Sequence, residues 1–250
     1  MIALAIARME LLSLLRSPLA WATLSSVCAL LAWLFLLRID QYVLYQSQLL
    51  ALAHPPGVTE LVVTPLFGSA GLILMMVLPV ITMRCFADQE RAQTLTLLTS
   101  APVSLTSIVV GKYLGICAFL GLILVLLLAM PLSLTGATKL DFGLLGAATL
   151  GITLLLNSYL AVGLWASSLT QHPAAAAMLS FGLLLTLWLL ESASAEPGDT
   201  AALAQLSTLT HFQALLSGLV NTADLAYFVI LSLLALGLTV LRLHHKRHCS

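Results

Sequence analysis

The residues best suited to chemistry in this chain are its four cysteines and six histidines. Cys28, Cys85, Cys117 and Cys249 have neither CxxC nor zinc-site spacing, which a thiolate-held metal would need. They read as small apolar residues in helices, the tail one excepted. The tail His244-His245-Lys246-Arg247-His248-Cys249 could ligate a soft or borderline metal. A basic anchor against anionic lipid is the stronger reading of the same residues. His54, His172 and His211 lie far apart in sequence, and no Ser-His-Asp or paired-carboxylate arrangement stands out. A phosphate-cradling G-x-x-x-x-G-K-[ST] loop is missing too, because Gly111-Lys112 is followed by Tyr113 and position 106 is Thr. The chain therefore has no assigned catalytic, cofactor or metal residue, and energy for any work must come from another polypeptide.

The elements that would position these residues are membrane helices. Hydrophobic residues make up 60% of 250 positions and charged residues 8%, with mean hydropathy +1.07. A globular chain is about one quarter charged, so a soluble fold would lack polar surface to cover itself. Zero net charge argues against a nucleic-acid partner. Six apolar runs stand out: Leu19–Leu37, Leu61–Met83, Tyr113–Met130, Phe142–Leu169, Ala174–Leu190 and Leu225–Leu241. All 20 Asp, Glu, Lys and Arg residues fall outside them. A spanning helix needs roughly 20 apolar residues, and a charge at its centre costs around 2.5–3.5 kcal/mol. Outer-membrane barrel strands would not give runs this long. The expected fold is all-α, with six transmembrane helices in one domain over residues 1–250.

Lys and Arg set the orientation. With both termini inside, the inner segments hold Arg8, Arg16, Arg84, Arg91, Lys112, Arg242, Lys246 and Arg247, and the outer ones only Arg38 and Lys139. That asymmetry places both termini in the cytoplasm. Met1–Arg16 mixes Ile2, Leu4, Ile6 and Met9 with Arg8 and Glu10, as an interfacial helix does. Pro18 stops it, since Ser17 before proline is pushed out of the helical region. The first run is an uncleaved anchor, because Arg38-Ile39-Asp40 follows it in place of a small-residue cleavage site.

Three further segments carry candidates. Within the spans, Asn157-Ser158-Tyr159 is the most polar cluster, either an interhelical hydrogen bond or a pathway lining. Gly143, Gly146, Ala147 and Gly151 would allow close helix approach. With no acid or base inside the spans, a proton- or ion-coupled carrier is disfavoured. The outer loop Glu191–Asp224 has four acids and no Lys or Arg. Its second half, with His211, Phe212 and Gly218, is too polar to span and too apolar to float free. It reads as a short re-entrant helix or an amphipathic surface helix. The inner loop Arg84–Lys112 begins with Asp88-Gln89-Glu90-Arg91, followed by Leu95, Leu97 and Leu98. This predicts a short helix with a charged end and an apolar face, its acids suiting the helix dipole. Pro102 ends it, Ser104 caps the third span, and Lys112 snorkels at that span's cytoplasmic edge. Such a helix could dock a soluble partner or simply connect two spans.

At this loop the chain resembles the permeases of ABC-2 type exporters, in their gliding-motility-type branch. The likeness runs through Phe86-Ala-Asp-Gln-Glu-Arg-Ala-Gln-Thr-Leu-Thr-Leu-Leu-Thr-Ser-Ala-Pro-Val-Ser104 and Ile108-Val-Val-Gly-Lys-Tyr113. Gln93 stands where the family has glycine, and Thr96 where it has glutamate. Arg16-Ser17-Pro18 is similar to the family's elbow, over residues 1–18. Leu209-Thr-His-Phe-Gln213, Gly218 and Asp224-Leu-Ala-Tyr-Phe228 resemble the run before its last span. The resemblance implies a half-transporter of the bacterial inner membrane. It would pair with a second permease copy, identical or related, and with two cytoplasmic ABC ATPase subunits that hold the ATP and Mg. The coupling residues would be Asp88, Glu90, Arg91, Leu95 and Leu98. A periplasmic accessory protein is compatible with this assembly. The alternatives are a membrane scaffold or mechanical transmitter that passes no solute, and a standalone channel or intramembrane enzyme.

Overall fold

The computed structural model describes residues 2–49, 57–91, 104–136, 138, 140–193 and 205–249. Among these the fold is helical, with no strand. The short helix α1 (Ile2–Arg16) is followed by the long α2 (Pro18–Leu49). A π-helical turn over Thr59–Val63 runs into α3 (Thr64–Thr82), and α4 (Ala87–Arg91) follows a tight turn. Then come α5 (Leu105–Leu132), α6 (Phe142–Leu169), α7 (Pro173–Ala193), the short α8 (Thr208–Leu216) and α9 (Thr222–Cys249). Six of the helical segments are long and apolar enough to cross a membrane. Each contains one of the six runs of the sequence.

Local chemistry explains where the helices begin. Ser17 separates α1 from α2 at the residue before proline. Trp21 then stitches the corner, its indole N–H donating to the Leu15 carbonyl at 2.6 Å. Ser104 caps α5 by accepting from the Ser107 amide, as expected from sequence. Asp141 caps α6, its Oδ1 accepting from the amides of Gly143 and Leu144 at 2.8 and 3.2 Å. Ser207 caps α8 in the same way through the Thr210 amide.

Two boundaries differ from the sequence reading. The first span, α2, runs on past Leu37 to Leu49, because Arg38 and Asp40 mark the edge of hydrocarbon, not the end of a helix. The third span, α5, starts at Leu105, so Lys112 stands inside a membrane-competent helix, 2% exposed. Lys112 is buried where a snorkelling residue was expected, and the spans are therefore not free of ionisable groups.

The helix α6 is the hub. In its most apolar stretch 67% of residues are buried, against 22% for α7 and α9, and α3, α5, α7, α8 and α9 all pack on it. At the end of the bundle away from the termini, the Asp141 amide donates to Thr59 Oγ1 at 2.9 Å, aligning α6 with α3. At the other end Gly163 faces Thr82 so closely that a Cβ there would strike the threonine side chain. Gly151 likewise admits Leu215 of α8. Gly146, by contrast, faces open space among the described residues, and the nearest atom to a Cβ at Gly143 is its own cap, Asp141 Oδ1. Of the glycines singled out in this helix, close approach to another helix is the role of Gly151.

Candidate functional site

Two places in the bundle combine buried polar groups with contacts between several helices. The first lies at the end that carries the chain termini. Here α3 finishes at Thr82 and the chain turns through residues 83–86 into α4. A single hydroxyl on the hub helix holds this turn. Ser167 Oγ accepts from the amides of Phe86 and Ala87, at 3.1 and 3.2 Å, and donates to the Met83 carbonyl at 3.0 Å. Those amides open α4, where donors lack intrahelical partners, so Ser167 is a cap supplied by another helix. Beside it, Lys246 of α9 donates to the Ser168 carbonyl at 3.2 Å.

Phe86 leads to the other half of this junction. The Lys112 ammonium lies 5.3 Å from its ring centroid and 3.2 Å from Glu10 Oε2 on α1. A lysine this buried requires a counter-charge and additional contacts to offset lost hydration, and Glu10 with Phe86 supplies them. The short helix α1 can come this close only because α5 carries Gly111 and Gly115 there. A Cβ on Gly111 would stand 2.8 Å from the Ala3 carbonyl oxygen, and one on Gly115 would stand 2.7 Å from that of Ala7. We expect Gly115→Leu to destabilise the chain by about 1–3 kcal/mol, the cost of overpacking. Gly121→Leu should not, because a Cβ there meets nothing within 4 Å. Both variants gain the same helix propensity, so the difference between their melting temperatures in detergent isolates the α1 contact.

Of the residues proposed for the inner loop, Asp88, Glu90 and Arg91 fall on α4. Asp88 is exposed, and its Oδ2 lies 3.9 Å from Arg84 Nε. Leu95 and Leu98 lie outside the described residues. Ser167 and Glu10 were not foreseen. A serine in an apolar span gives no sequence signal, and Glu10 could be paired with Lys112 only by knowing which helices touch.

The second place is around α8. This helix packs against α3, α6, α7 and α9. Phe212 sits where a Cβ on Gly71 would lie 2.9 Å from its ring, and it faces Trp188 of α7 at 6.4 Å between centroids. Gly71 is 12 residues along from Thr59, about 18 Å at a rise of ~1.5 Å per residue. The helix thus lies well down inside the bundle, fully burying Phe212 and Leu215. Gly218 turns the chain back with φ of +85°. The Leu219 amide bonds the Ala214 carbonyl and the Gly218 amide bonds that of Leu215, the pattern of a glycine-terminated helix.

His211 joins α8 to α9. Its Nδ1 is 2.6 Å from Asp224 Oδ1, its Nε2 is 2.9 Å from the Gln205 carbonyl, and its ring stacks on Tyr227 at 4.3 Å. A carbonyl only accepts, so Nε2 carries a proton. The Tyr227 hydroxyl donates to the Leu206 carbonyl at 2.7 Å. Asp224 was read as the end of the outer loop; it stands instead in the first turn of α9, 8% exposed.

The polar cluster in α6 is split over different faces. Asn157 Oδ1 accepts from the Tyr113 hydroxyl at 3.1 Å and from Cys117 Sγ at 3.0 Å, an interhelical link to α5. Ser158 bonds back to the Leu155 carbonyl within its own helix. Tyr159 is 1% exposed and turned into the core. Among the described residues no three His, Cys, Asp or Glu side chains could hold an ion together.

Compared with protein families, residues 38–242 match the family described as ABC-2 family transporter protein. No curated protein matches the chain.

Proposed function

The chain belongs to the ABC-2 transporter family and is a permease subunit of an ATP-binding cassette system, and from that premise we propose that it couples ATP hydrolysis by a separate cytoplasmic ATPase to export of a substrate. The observation that carries this reading is the anchorage of α4. This helix extends from the second span at the end that holds the termini, is capped by Ser167 of the hub helix and abuts the Phe86–Lys112–Glu10 junction. A push on α4 therefore reaches α3, α6, α5 and α1 through hydrogen bonds, one ion pair and close packing. The segment Asp88–Ser100 is the ATPase contact in this reading, with Asp88, Glu90 and Arg91 at its polar rim and Leu95 and Leu98 filling a pocket of the partner.

Two permease copies face each other in the working complex and two ATPase subunits, with ATP and Mg between them, dock from the cytoplasm. The short helix α8 is a re-entrant segment in the outer leaflet, with the His211–Asp224 pair near its rim. Reconstitution of the permease with its ATPase in vesicles tests the reading. Hydrolysis that depends on this chain, with accumulation of a solute or lipid across the bilayer, is the expected result. Hydrolysis without any transported molecule would instead mark a mechanical transmitter.

The same reading fixes the orientation. Asn221 is exposed between α8 and α9. We expect Asn221→Cys to react with a membrane-impermeant maleimide in intact cells, whereas the native Cys249 reacts only after permeabilisation. The reverse pattern would invert the topology, placing the ATPase contact on the wrong side.

A further inference from the structure

The helix α1, the start of α2 and the end of α3 with α4 do not close on one another, and a cavity of about 270 Å³ lies between them. Glu10, Ser13 and Ser17 line it from one side, and Arg84 and Asp88 from the other. The rest of its wall includes Leu14, Leu19, Ala20, Val80 and Ile81. Along α3 and into α4, Val80 and Ile81 come before Arg84 and Asp88; from α1 into α2, Glu10 and Ser13 come before Leu19 and Ala20. Charged, hydroxyl and apolar side chains therefore all line the cavity, which is amphiphilic.

The charges in it also have a pattern. Arg84 and Asp88 are about half exposed, with side chains at 53% and 47%, and their closest approach of 3.9 Å is longer than a hydrogen bond. A guanidinium able to take a phosphate in two hydrogen bonds therefore stands beside a carboxylate able to take an ammonium. Glu10 adds a second carboxylate to the wall, and its Oε2 is the atom that engages Lys112. Ser13 and Ser17 add hydroxyl donors.

We propose that this cavity binds the headgroup of a zwitterionic aminophospholipid. The phosphate lies on Arg84 and the serines, the primary ammonium lies against Asp88 and Glu10, and an acyl chain follows the apolar wall into the bilayer. A net-anionic headgroup brings no cation to Asp88, the carboxylate in the wall that Lys112 does not engage. A choline headgroup carries no N–H to donate to them. Selectivity for the primary amine is thus the signature of the site. The proposal concerns this chain alone and holds whether or not an ATPase docks on α4.

The test uses the full chain, purified and delipidated in mild detergent, with dioleoyl phosphatidylethanolamine, phosphatidylcholine or phosphatidylglycerol added back. Native mass spectrometry counts retained lipid, and thermal unfolding reports protection. Phosphatidylethanolamine should be retained at one copy per chain, about tenfold more strongly than the other two. Arg84→Gln and Asp88→Asn, both at partly exposed positions, should melt like the parent without lipid and each lower its retention to the level of phosphatidylcholine. Equal retention of the three lipids by the parent chain would overturn the proposal, independently of how either variant folds. So would undiminished selectivity in the Arg84→Gln/Asp88→Asn double variant. If water-soluble glycerophosphoethanolamine protects as well as the lipid, the apolar wall contributes nothing and the lipid assignment fails.

Discussion

Lys112→Met should cost the folded chain about 3–5 kcal/mol, the range for removing one partner of a buried ion pair. The ammonium it deletes is 2% exposed and bound to Glu10 at 3.2 Å. What remains is a Glu10 carboxylate without its counter-charge, on a side chain held in place because its Cβ lies 2.8 Å from where a Cβ on Gly115 of α5 would stand. Glu10 keeps 20% of its side-chain surface, so some hydration is available to it, and the lower half of the range is expected. Adding Glu10→Gln should restore most of the loss, since a neutral pair no longer demands a counter-charge. The interaction energy of the cycle Lys112→Met, Glu10→Gln and their double variant isolates the pair from the packing around it. Unfolding in detergent reads all four proteins. A Lys112→Met chain that unfolds with the parent would mean that α1 is not clamped to α5 by charge.

Leu95→Asp should leave the chain inserted and abundant, yet unable to retain an ATPase. The residue comes four positions after Arg91 in the sequence, on the segment assigned to the partner contact. In the proposed contact an aspartate would place a charge where an apolar side chain would fill a pocket, and central apolar anchors of this kind cost about 2 kcal/mol or more when lost. That is at least a thirtyfold fall in affinity. Arg91→Glu at the polar rim should do far less, since exposed pairs are worth about 0–1 kcal/mol. Pull-down of the ATPase with each variant, normalised to permease in the membrane fraction, ranks the two. Wild-type retention by Leu95→Asp would move the docking site elsewhere.

The architecture was legible in the sequence to the extent that the bilayer wrote it. A charge is too costly at mid-membrane to be placed there unpaired, so gaps between charges mark the six spans, and Ser104 and Pro18 mark helix starts by local geometry. What escaped was pairing across the fold. Lys112 looked like a snorkelling residue because hydropathy weighs each charge by itself, whereas Glu10, 102 residues away, permits its burial. Ser167 was invisible among apolar neighbours, although it holds the turn that leads into α4. The mixed polarity of Leu206–Val220 was read as a segment neither spanning nor free. Its seat depends on Gly71 and Gly151 in two other helices, a complementarity no local window contains. In the same way, Gly146 looked like a packing glycine beside Gly151, and only contact with α8 separates the two.

The central claim is that this chain is the membrane half of a machine whose ATPase is another polypeptide. Affinity purification of the chain from its native membrane in mild detergent, followed by mass spectrometry of the intact complex, tests it most directly. The account predicts a complex of two permease copies and two copies of a soluble protein carrying the G-x-x-x-x-G-K-[ST] loop that this chain lacks. A chain that purifies by itself, with no nucleotide-binding subunit at any ratio, would contradict it.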